Sequence, residues 1–376
     1  MITMKVSQII AIGVVVALVA AGVAIVIIHN ENEKNKPHDI TDMQGNVVTV
    51  PANISRVAIT SQSPMVPVYT YYMNGVDTLI GANSAGLTYA KNGIMGKIYD
   101  FSGIKTDFVS GTTVNVESLT ALDPQVVIYT GNRTDEHELL DNAGLTNVGF
   151  NTAMTGGNST DPFETIECWL KLLKDMMGDN GRADKLIDYN NTAKATVADK
   201  VKDLTDGDKP KVMIIFSIDT TKSLVKVAGS GHYSEYWIDK AGGKNVAAGL
   251  PGLKDVDMET IEGYNPDYIF FANSSGKMPT DLINNTVPGM DWSGIKAVQD
   301  SHVYVFPSAT YFSYAPSLEA GVTLQFLANI LHPDLFSSMD INKVAKDWFQ
   351  EMFNYTASDK DVTNFLYPDA LSVKLH

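Results

Sequence analysis

Cysteine and arginine are almost missing from this 376-residue sequence. The single cysteine, Cys168, lies in an amphipathic segment. One thiol cannot form an internal disulfide, so a disulfide-stapled fold is excluded and the cellular compartment is left open. Only three of the 28 basic residues are arginines, and the net charge is −15. Nucleic-acid binding depends on Lys and Arg at phosphates, so this balance argues against a nucleic-acid partner.

Catalytic and metal-binding motifs are missing as well. The sequence contains no nucleophile elbow, no P-loop and no HExxH motif. Its seven histidines are scattered, without a pair at the spacing of metal ligands. A bare transition-metal site needs several His or carboxylate ligands in one place, whereas a metal held inside an organic chelate needs none. We therefore expect no catalytic residues, no resident cofactor and no metal ligands.

A long run without charge is present near the N-terminus, over Ile9–Ile28. Its 20 residues match a hydrocarbon core of about 30 Å. Small residues lie in the middle of the run and apolar residues continue beyond them, which favours an uncleaved anchor over a cleaved signal peptide. Lys5 before the run predicts that the rest of the chain lies outside the cytoplasm. We therefore expect a single-pass cell-membrane protein.

Seven sequons permit glycosylation, which agrees with an external location. Their asparagines are Asn53, Asn132, Asn158, Asn190, Asn273, Asn284 and Asn354.

One stretch of the sequence occurs in two similar copies. VNVESLTALDPQVVIYTG (Val114–Gly131) and VDMETIEGYNPDYIFFAN (Val256–Asn273) share Val, Glu and Pro at the same offsets, the glutamates being Glu117 and Glu259. Each copy predicts a helix capped by Asn or Asp, ended before a proline and followed by a buried strand. Two ordinary αβ units could coincide, but the shared Glu and Pro favour two related lobes.

The alternation of helices and strands predicts an α/β fold of two lobes, each a mainly parallel sheet covered by helices. Between the lobes no strand is predicted, and one long helix joins them. A helix resists bending more than loose crossover strands do, so only a modest hinge motion is expected. The predicted units are an anchor (1–29), a flexible tether (30–40), an N-terminal lobe (41–178), an inter-lobe helix (179–206) and a C-terminal lobe with terminal helices (207–376).

Candidate ligand contacts follow the predicted strands, because ligands of open α/β sheets bind at the carboxyl ends of the strands. Arg133 can hold a carboxylate, catecholate or oxyanion in a bidentate way, although an ordinary solvated loop arginine fits as well. The aromatic candidates can pack on a macrocycle or on another aromatic ligand, or can simply be core residues. His232 can ligate a metal, or lie on the surface. The predicted contacts are Arg133, Ser63, Tyr89, His232, Tyr233, Tyr311 and Tyr314.

Five stretches carry a family resemblance that covers about Ile40 to Phe336: ITDMQGNVVTVPANISRVAI, VNVESLTALDPQVVI, AGGKNVAAG, VDMETIEGYNPDYIFF and IKAVQDSHVYVFP. In this order they resemble the class III substrate-binding proteins of ABC importers, which are receptors for iron–siderophore complexes, haem and vitamin B12. The resemblance implies a ligand cleft between two lobes and, as partners, a permease dimer with its ATPase subunits. In archaeal members an N-terminal membrane helix can replace the lipid anchor.

The resemblance also gives a role to the repeated glutamate. In the family, a glutamate in each lobe forms salt bridges with arginines of the two permease subunits, and Glu117 and Glu259 fall on those positions. Without the resemblance, each glutamate would merely complement a helix dipole.

The expected function is therefore extracytoplasmic capture of an iron(III)–siderophore or related metal chelate. A corrinoid, haem or molybdate-type oxyanion is the alternative ligand. An extracellular sensor, or a hydrolase using the two glutamates as an acid–base pair, is the alternative class. The glutamates lie at helix starts, away from the expected cleft, which speaks against the hydrolase.

Overall fold

The computed structural model describes residues 36–111, 113–152, 160–272 and 278–368. The predicted anchor, Ile9–Ile28, lies outside these ranges. Within them, no helix has both the length and the apolar character needed to cross a membrane.

The N-terminal lobe begins with an antiparallel hairpin and continues as a parallel sheet. The hairpin pairs β1 (His38–Thr41) with β2 (Val47–Val50) around a turn that contains Gln44, Gly45 and Asn46. The strands of the sheet are β3 (Val57–Ile59), β4 (Leu79–Ala82), β7 (Val126–Thr130) and β8 (Asn147–Phe150), and a short separate hairpin is formed by β5 (Val109–Ser110) and β6 (Thr113–Val114). In the sheet the strands have the order β4-β3-β7-β8 and are all parallel, as predicted. The helices of this lobe are α1 (Met65–Met73), α2 (Ser84–Asn92), α3 (Met95–Ile98), α4 (Val116–Ala121) and α5 (Thr134–Asn142).

Two helices follow the first lobe. They are α6 (Pro162–Met177) and α7 (Arg182–Val201). The first is capped by Asp161, whose side chain accepts hydrogen bonds from Phe163 N and Glu164 N. The second has 20 residues and a length of about 30 Å, and it lies within the predicted inter-lobe segment. Its buried side chains recur at helical spacing and face the C-terminal helices.

The C-terminal sheet has the order β12-β10-β9-β13-β14, with β11 also paired to β9. Strands β9, β11, β13 and β14 pair in parallel, whereas β10 pairs antiparallel with both β9 and β12, so the sheet is more mixed than predicted. The reason is local, since β9 and β10 are joined by a turn too short for a parallel crossover. The strands are β9 (Lys211–Asp219), β10 (Leu224–Ala228), β11 (Lys244–Asn245), β12 (Leu253–Val256), β13 (Tyr268–Phe271) and β14 (Val303–Val305).

The helices of the C-terminal lobe include one that contacts the first lobe. In chain order they are α8 (Tyr233–Lys240), α9 (Met258–Tyr264), α10 (Pro279–Ile283), α11 (Lys296–Gln299), α12 (Ala320–Leu331), α13 (Ile341–Phe353) and α14 (Asp359–Leu366). In α13, the Phe353 ring lies 5.7 Å from the ring of Tyr71 in the N-terminal lobe. The backbone oxygen of Met352 accepts a hydrogen bond of 2.9 Å from Arg182 at the start of α7. The two lobes are thus joined by α7 and, a second time, through α13.

The repeated stretches form the same local structure in both lobes. Asn115 accepts a hydrogen bond of 3.0 Å from Ser118 N, and Asp257 accepts one of 2.9 Å from Thr260 N. After each helix, the residue before the proline has a left-handed backbone conformation, with φ of 52° at Asp123 and 40° at Asn265. Asn and Asp tolerate this conformation better than most residues. The repeat is therefore a shared helix–turn–strand unit.

Asp361 at the start of α14 gives a pH-dependent contribution to stability. Burial favours the neutral acid, but hydrogen bonds from Lys97, Ser358 and Tyr355 outweigh this and lower the pKa of Asp361 from 3.8 to about 2. A lowered pKa stabilises the fold above about pH 4, and the contribution is lost as the pH falls toward 2. We expect Asp361→Asn to destabilise the protein by roughly 2 kcal/mol at pH 7 and by much less near pH 2, measured by urea unfolding.

The exposed Asp334 provides the control for this prediction. Asp334→Asn should leave the free energy of unfolding close to that of the parent at both pH values. An equal loss for Asp361→Asn at pH 7 and pH 2 would contradict the assignment.

Candidate ligand-binding site

A cavity of about 470 Å³ lies between the two lobes. The N-terminal lobe contributes the segments that follow β3, β7 and β8. The C-terminal lobe contributes the start of α8 and the loop after β14. The lining residues are 61–64, Thr130, Thr152 and Thr160 from the first lobe, and 231–233, 311–312 and 315–316 from the second. This is the edge of the sheets that the sequence predicts for ligand binding.

The loop after β3 is fixed by hydrogen bonds to the neighbouring strands. The hydroxyl oxygen of Ser61 accepts from Thr130 N at 2.9 Å. The buried amide of Gln62 donates to the backbone oxygen of Phe150 at 2.5 Å. The loop is therefore held against both β7 and β8, and its side chains form a fixed part of the cavity.

The same loop is in close contact with α2. Ser63 donates to Asn83 Oδ1 at 2.8 Å, and the same oxygen caps α2 by accepting from Gly86 N at 2.8 Å. A Cβ atom at Gly86 would lie 2.4 Å from the backbone oxygen of Ser63, so this approach requires glycine. Ser63 thus reaches the cavity from a loop that α2 supports.

His232 lies on the C-terminal side of the cavity. Its Nδ1 shares a hydrogen bond with the buried phenol of Tyr314, and the two rings are stacked at 5.3 Å. Burial lowers the pKa of His232, so the imidazole is neutral at pH 7. Among the described residues Nε2 has no hydrogen-bond partner, which leaves that nitrogen available to a ligand.

Three phenols complete the site. Tyr233 donates to the backbone oxygen of Thr152, and this bond joins the two lobes at the cavity. The ring of Tyr311 lies 4.5 Å from Tyr89 and 4.6 Å from Phe312. Burial raises the pKa of Tyr233 and of Tyr311, and raises that of Tyr89 to about 12. All three phenols therefore keep their protons at physiological pH.

The described part of the cavity lining carries no formal charge. None of the described lining residues is Asp, Glu, Lys or Arg, and most of the polar ones carry hydroxyl groups. No group of three or more His, Cys, Asp or Glu side chains in the described ranges could hold a metal ion. The cavity thus offers hydrogen-bond donors, one neutral imidazole and aromatic faces.

The predicted contact residues fall into two groups in the structure. Ser63, His232, Tyr233 and Tyr311 line the cavity, whereas Tyr89 and Tyr314 lie behind Tyr311 and His232 as their packing partners. The predicted contacts do not include Thr130, Thr152 and Thr160, which also line the cavity. Applying the carboxyl-end rule to β8 as well would have found Thr152.

Arg133 does not belong to the cavity lining. Its Nε lies 3.3 Å from Oε2 of the buried Glu136, which also accepts a hydrogen bond from Thr60. In this arrangement the guanidinium supports the loops behind the cavity. A direct role of Arg133 in ligand binding stays a prediction.

Glu117 and Glu259 lie in the first turns of α4 and α9. Both are exposed, and neither forms an ion pair with any residue that the structure describes. Neither lines the cavity. One free carboxylate per lobe is the arrangement that a docking role requires, and the role itself stays a prediction.

A family model described as periplasmic binding protein matches residues 96–310, more than half of the chain. The chain belongs to this periplasmic binding protein family. It is 25% identical over 256 residues to the molybdate-binding protein MolA of Haemophilus influenzae, which covers 64% of this chain and 70% of that protein.

Solved structures show the same fold. A periplasmic solute-binding protein from Veillonella parvula superimposes with a TM-score of 0.77 at 23% identity, covering 90% of this chain and 98% of that one. MolA bound to molybdate gives 0.72 at 20% identity, covering 85% and 99%. Helicobacter pylori CeuE in a nickel–histidine complex gives 0.66 at 22% identity, covering 88% and 99%.

The periplasmic binding protein is therefore the substrate-binding component of an ABC importer, and it is not an enzyme. Proteins of this family work with permease and ATPase components and bind small ligands. The resemblance to class III substrate-binding proteins and the α/β architecture are confirmed. The hydrolase alternative is set aside.

Proposed function

We propose that this binding protein captures a molybdate-type oxyanion in the inter-lobe cavity, outside the cytoplasm, and delivers it to its permease. The observation that carries this proposal is the uncharged lining rich in hydroxyl groups. Hydroxyls hydrogen-bond an anion more strongly than a neutral group, because one partner is charged. The likeness to MolA supports the same ligand class.

The lining also argues against a strongly anionic chelate. A buried anion without paired cations must be stabilised by hydrogen bonds, and the described lining residues include no Lys or Arg. Hydroxyl groups can reach all four oxygens of a small oxyanion, but not the charged oxygens that a large chelate encloses around its metal. A tricatecholate iron complex would therefore fit this cavity poorly. The iron(III)–siderophore expected from the sequence is kept only in an uncharged form.

An uncharged iron(III) chelate is the second candidate ligand, and the aromatic faces favour it. Tyr233, Tyr311 and Phe312 offer apolar surface that a bare oxyanion does not need. The volume of about 470 Å³ also falls in the range typical of small-molecule sites.

Two further proposals concern the partner and the membrane. Glu117 and Glu259 dock one to each permease subunit, supported by their exposure and their equivalent positions in the two lobes. Ile9–Ile28 anchors the chain as an archaeal-type membrane helix, supported by its length and lack of charge.

A thermal-shift and calorimetric screen of residues 30–376 tests the ligand. The probes are molybdate, tungstate, sulfate, phosphate, an uncharged ferric hydroxamate, haem and cyanocobalamin. At 100 times its Kd a ligand stabilises the fold by about 2.7 kcal/mol, so we expect molybdate and tungstate to raise the Tm by several degrees.

Variants connect the shift to the cavity. Ser61→Ala removes a lining hydroxyl whose oxygen accepts from Thr130 N and whose proton can be donated to an anion, so it should weaken molybdate binding by about tenfold. Ser102→Ala removes a hydroxyl from an exposed residue elsewhere and should have no effect. Binding of the hydroxamate alone would favour the second candidate, and the absence of any shift would contradict both ligands.

A further inference from the structure

A carboxylate with no cation beside it lies buried behind the cavity. Glu319, directly before α12, is 0% exposed. It forms no ion pair with Lys, Arg or His in the part of the chain that the structure describes. Because a buried charge is unfavourable unless it is hydrogen-bonded, the bonds it makes identify what it stabilises.

Hydrogen bonds to Glu319 come from the loop after β14. Three consecutive backbone N–H groups donate to Oε1: Ala309 at 2.9 Å, Thr310 at 3.0 Å and Tyr311 at 3.2 Å. The Thr310 hydroxyl donates to Oε2 at 2.5 Å, and that of Ser313 lies 3.4 Å from Oε1. Successive N–H groups turned toward one point form a concave anion site, which here is filled by the protein's own carboxylate.

Helix capping does not explain this residue. Glu319 occupies the cap position of α12, yet its side chain accepts no hydrogen bond from the first turn of that helix. Among the described residues, all donors to its side chain are on the preceding loop. The carboxylate therefore determines the course of the loop.

That loop carries Tyr311 and Phe312, which we call the aromatic wall of the cavity. Tyr311 packs on Tyr89 of the N-terminal lobe, and the backbone oxygen of Ala309 accepts a hydrogen bond of 3.0 Å from Ile94 N of the same lobe. The loop thus shapes the cavity and contacts the opposite lobe, so a change in its course alters both.

We propose that Glu319 is a positioning residue for ligand binding, whose buried carboxylate fixes the aromatic wall against the cavity and thereby sets ligand affinity. It touches no ligand itself. The inference rests on the proposed function for its binding readout, but the state of the loop can be measured without any ligand.

The experiment compares Glu319→Gln with Asp42→Asn. Asp42 is a matched control, because it is also buried and accepts three backbone N–H bonds, from Gln44, Asn46 and Gly149, none of which lines the cavity. Both variants replace a carboxylate by an amide of the same shape. Readouts are amide hydrogen exchange, the near-ultraviolet circular dichroism of the tyrosines, and the Kd for molybdate and for the ferric hydroxamate well below each Tm.

For Glu319→Gln we expect amide exchange at residues 309–311 to rise about tenfold, the tyrosine dichroism to change, and the affinity of whichever probe the parent binds to fall about tenfold. Asp42→Asn should bind as the parent does. If Glu319→Gln fails to fold, Thr310→Val removes one hydrogen bond and should give the same changes at smaller amplitude.

Binding within twofold of the parent in Glu319→Gln would overturn the proposal, as would equal losses of affinity in both variants. If the parent binds neither probe, the proposed ligands fail and the loop readouts decide alone. Faster exchange at residues 309–311 in Glu319→Gln only would then support the positioning role, and unchanged exchange would overturn it.

Discussion

Replacing both Glu117 and Glu259 with lysine is expected to lower ligand uptake by at least about tenfold, while the isolated protein keeps its ligand affinity. Both carboxylates are exposed and lie outside the cavity lining, so the change should not reach the ligand. In the docked state each lysine would face a cation of the permease, and like charges at an interface are unfavourable. Uptake by whole cells, beside calorimetry on the purified protein, separates the two effects.

Each single substitution should lower uptake less than the pair, because one docking contact remains. The control is Glu164→Lys with Glu351→Lys, which changes the net charge equally at two exposed glutamates outside the repeat. If the variant with both Glu117→Lys and Glu259→Lys took up ligand as the parent does, the two glutamates would only interact favourably with their helix dipoles.

The second large effect is expected at the junction of the C-terminal helices. Trp348 is fully buried, and its ring lies 5.1 Å from Phe349, 5.4 Å from Phe353 and 5.6 Å from Phe365. Trp348→Ala leaves a large cavity there and should lower the free energy of unfolding by about 3–5 kcal/mol, measured by urea denaturation.

Trp348→Phe is the matched control for this substitution. The indole N–H of Trp348 has no acceptor among the described residues, so phenylalanine leaves no acceptor unpaired. Its effect should be well under half that of alanine. A loss below about 1 kcal/mol for Trp348→Ala would mean that α13 and α14 contribute little to stability.

The sequence predicts most of the fold because apolar spacing reports which face of an element is buried. Asn115 and Asp257, with the prolines that follow, identify the two repeated units before any coordinates are known. Spacing does not report which strand lies beside which, so it does not predict that β10 pairs antiparallel with β9 and β12. The direction of β10 depends on a short turn after β9.

The site is less predictable, because side-chain direction in loops depends on contacts from distant parts of the chain. The positions of their loops predict that Ser63 and His232 lie at the cavity. The position of its loop does not predict where Arg133 points, since the buried Glu136 holds its guanidinium. Glu319 could not be found from sequence, because a charged residue in a helical pattern is normally placed on the surface.

The double connection between the lobes, through α7 and again through α13, has a kinetic consequence. If the lobes cannot move far apart, Glu117 and Glu259 keep nearly the same separation with the cavity empty or filled. An empty receptor would then occupy the permease almost as well as a loaded one and would act as a competitive inhibitor of its own loaded form. Transport would follow the loaded fraction of the receptor population, and adding more receptor at fixed ligand would slow it.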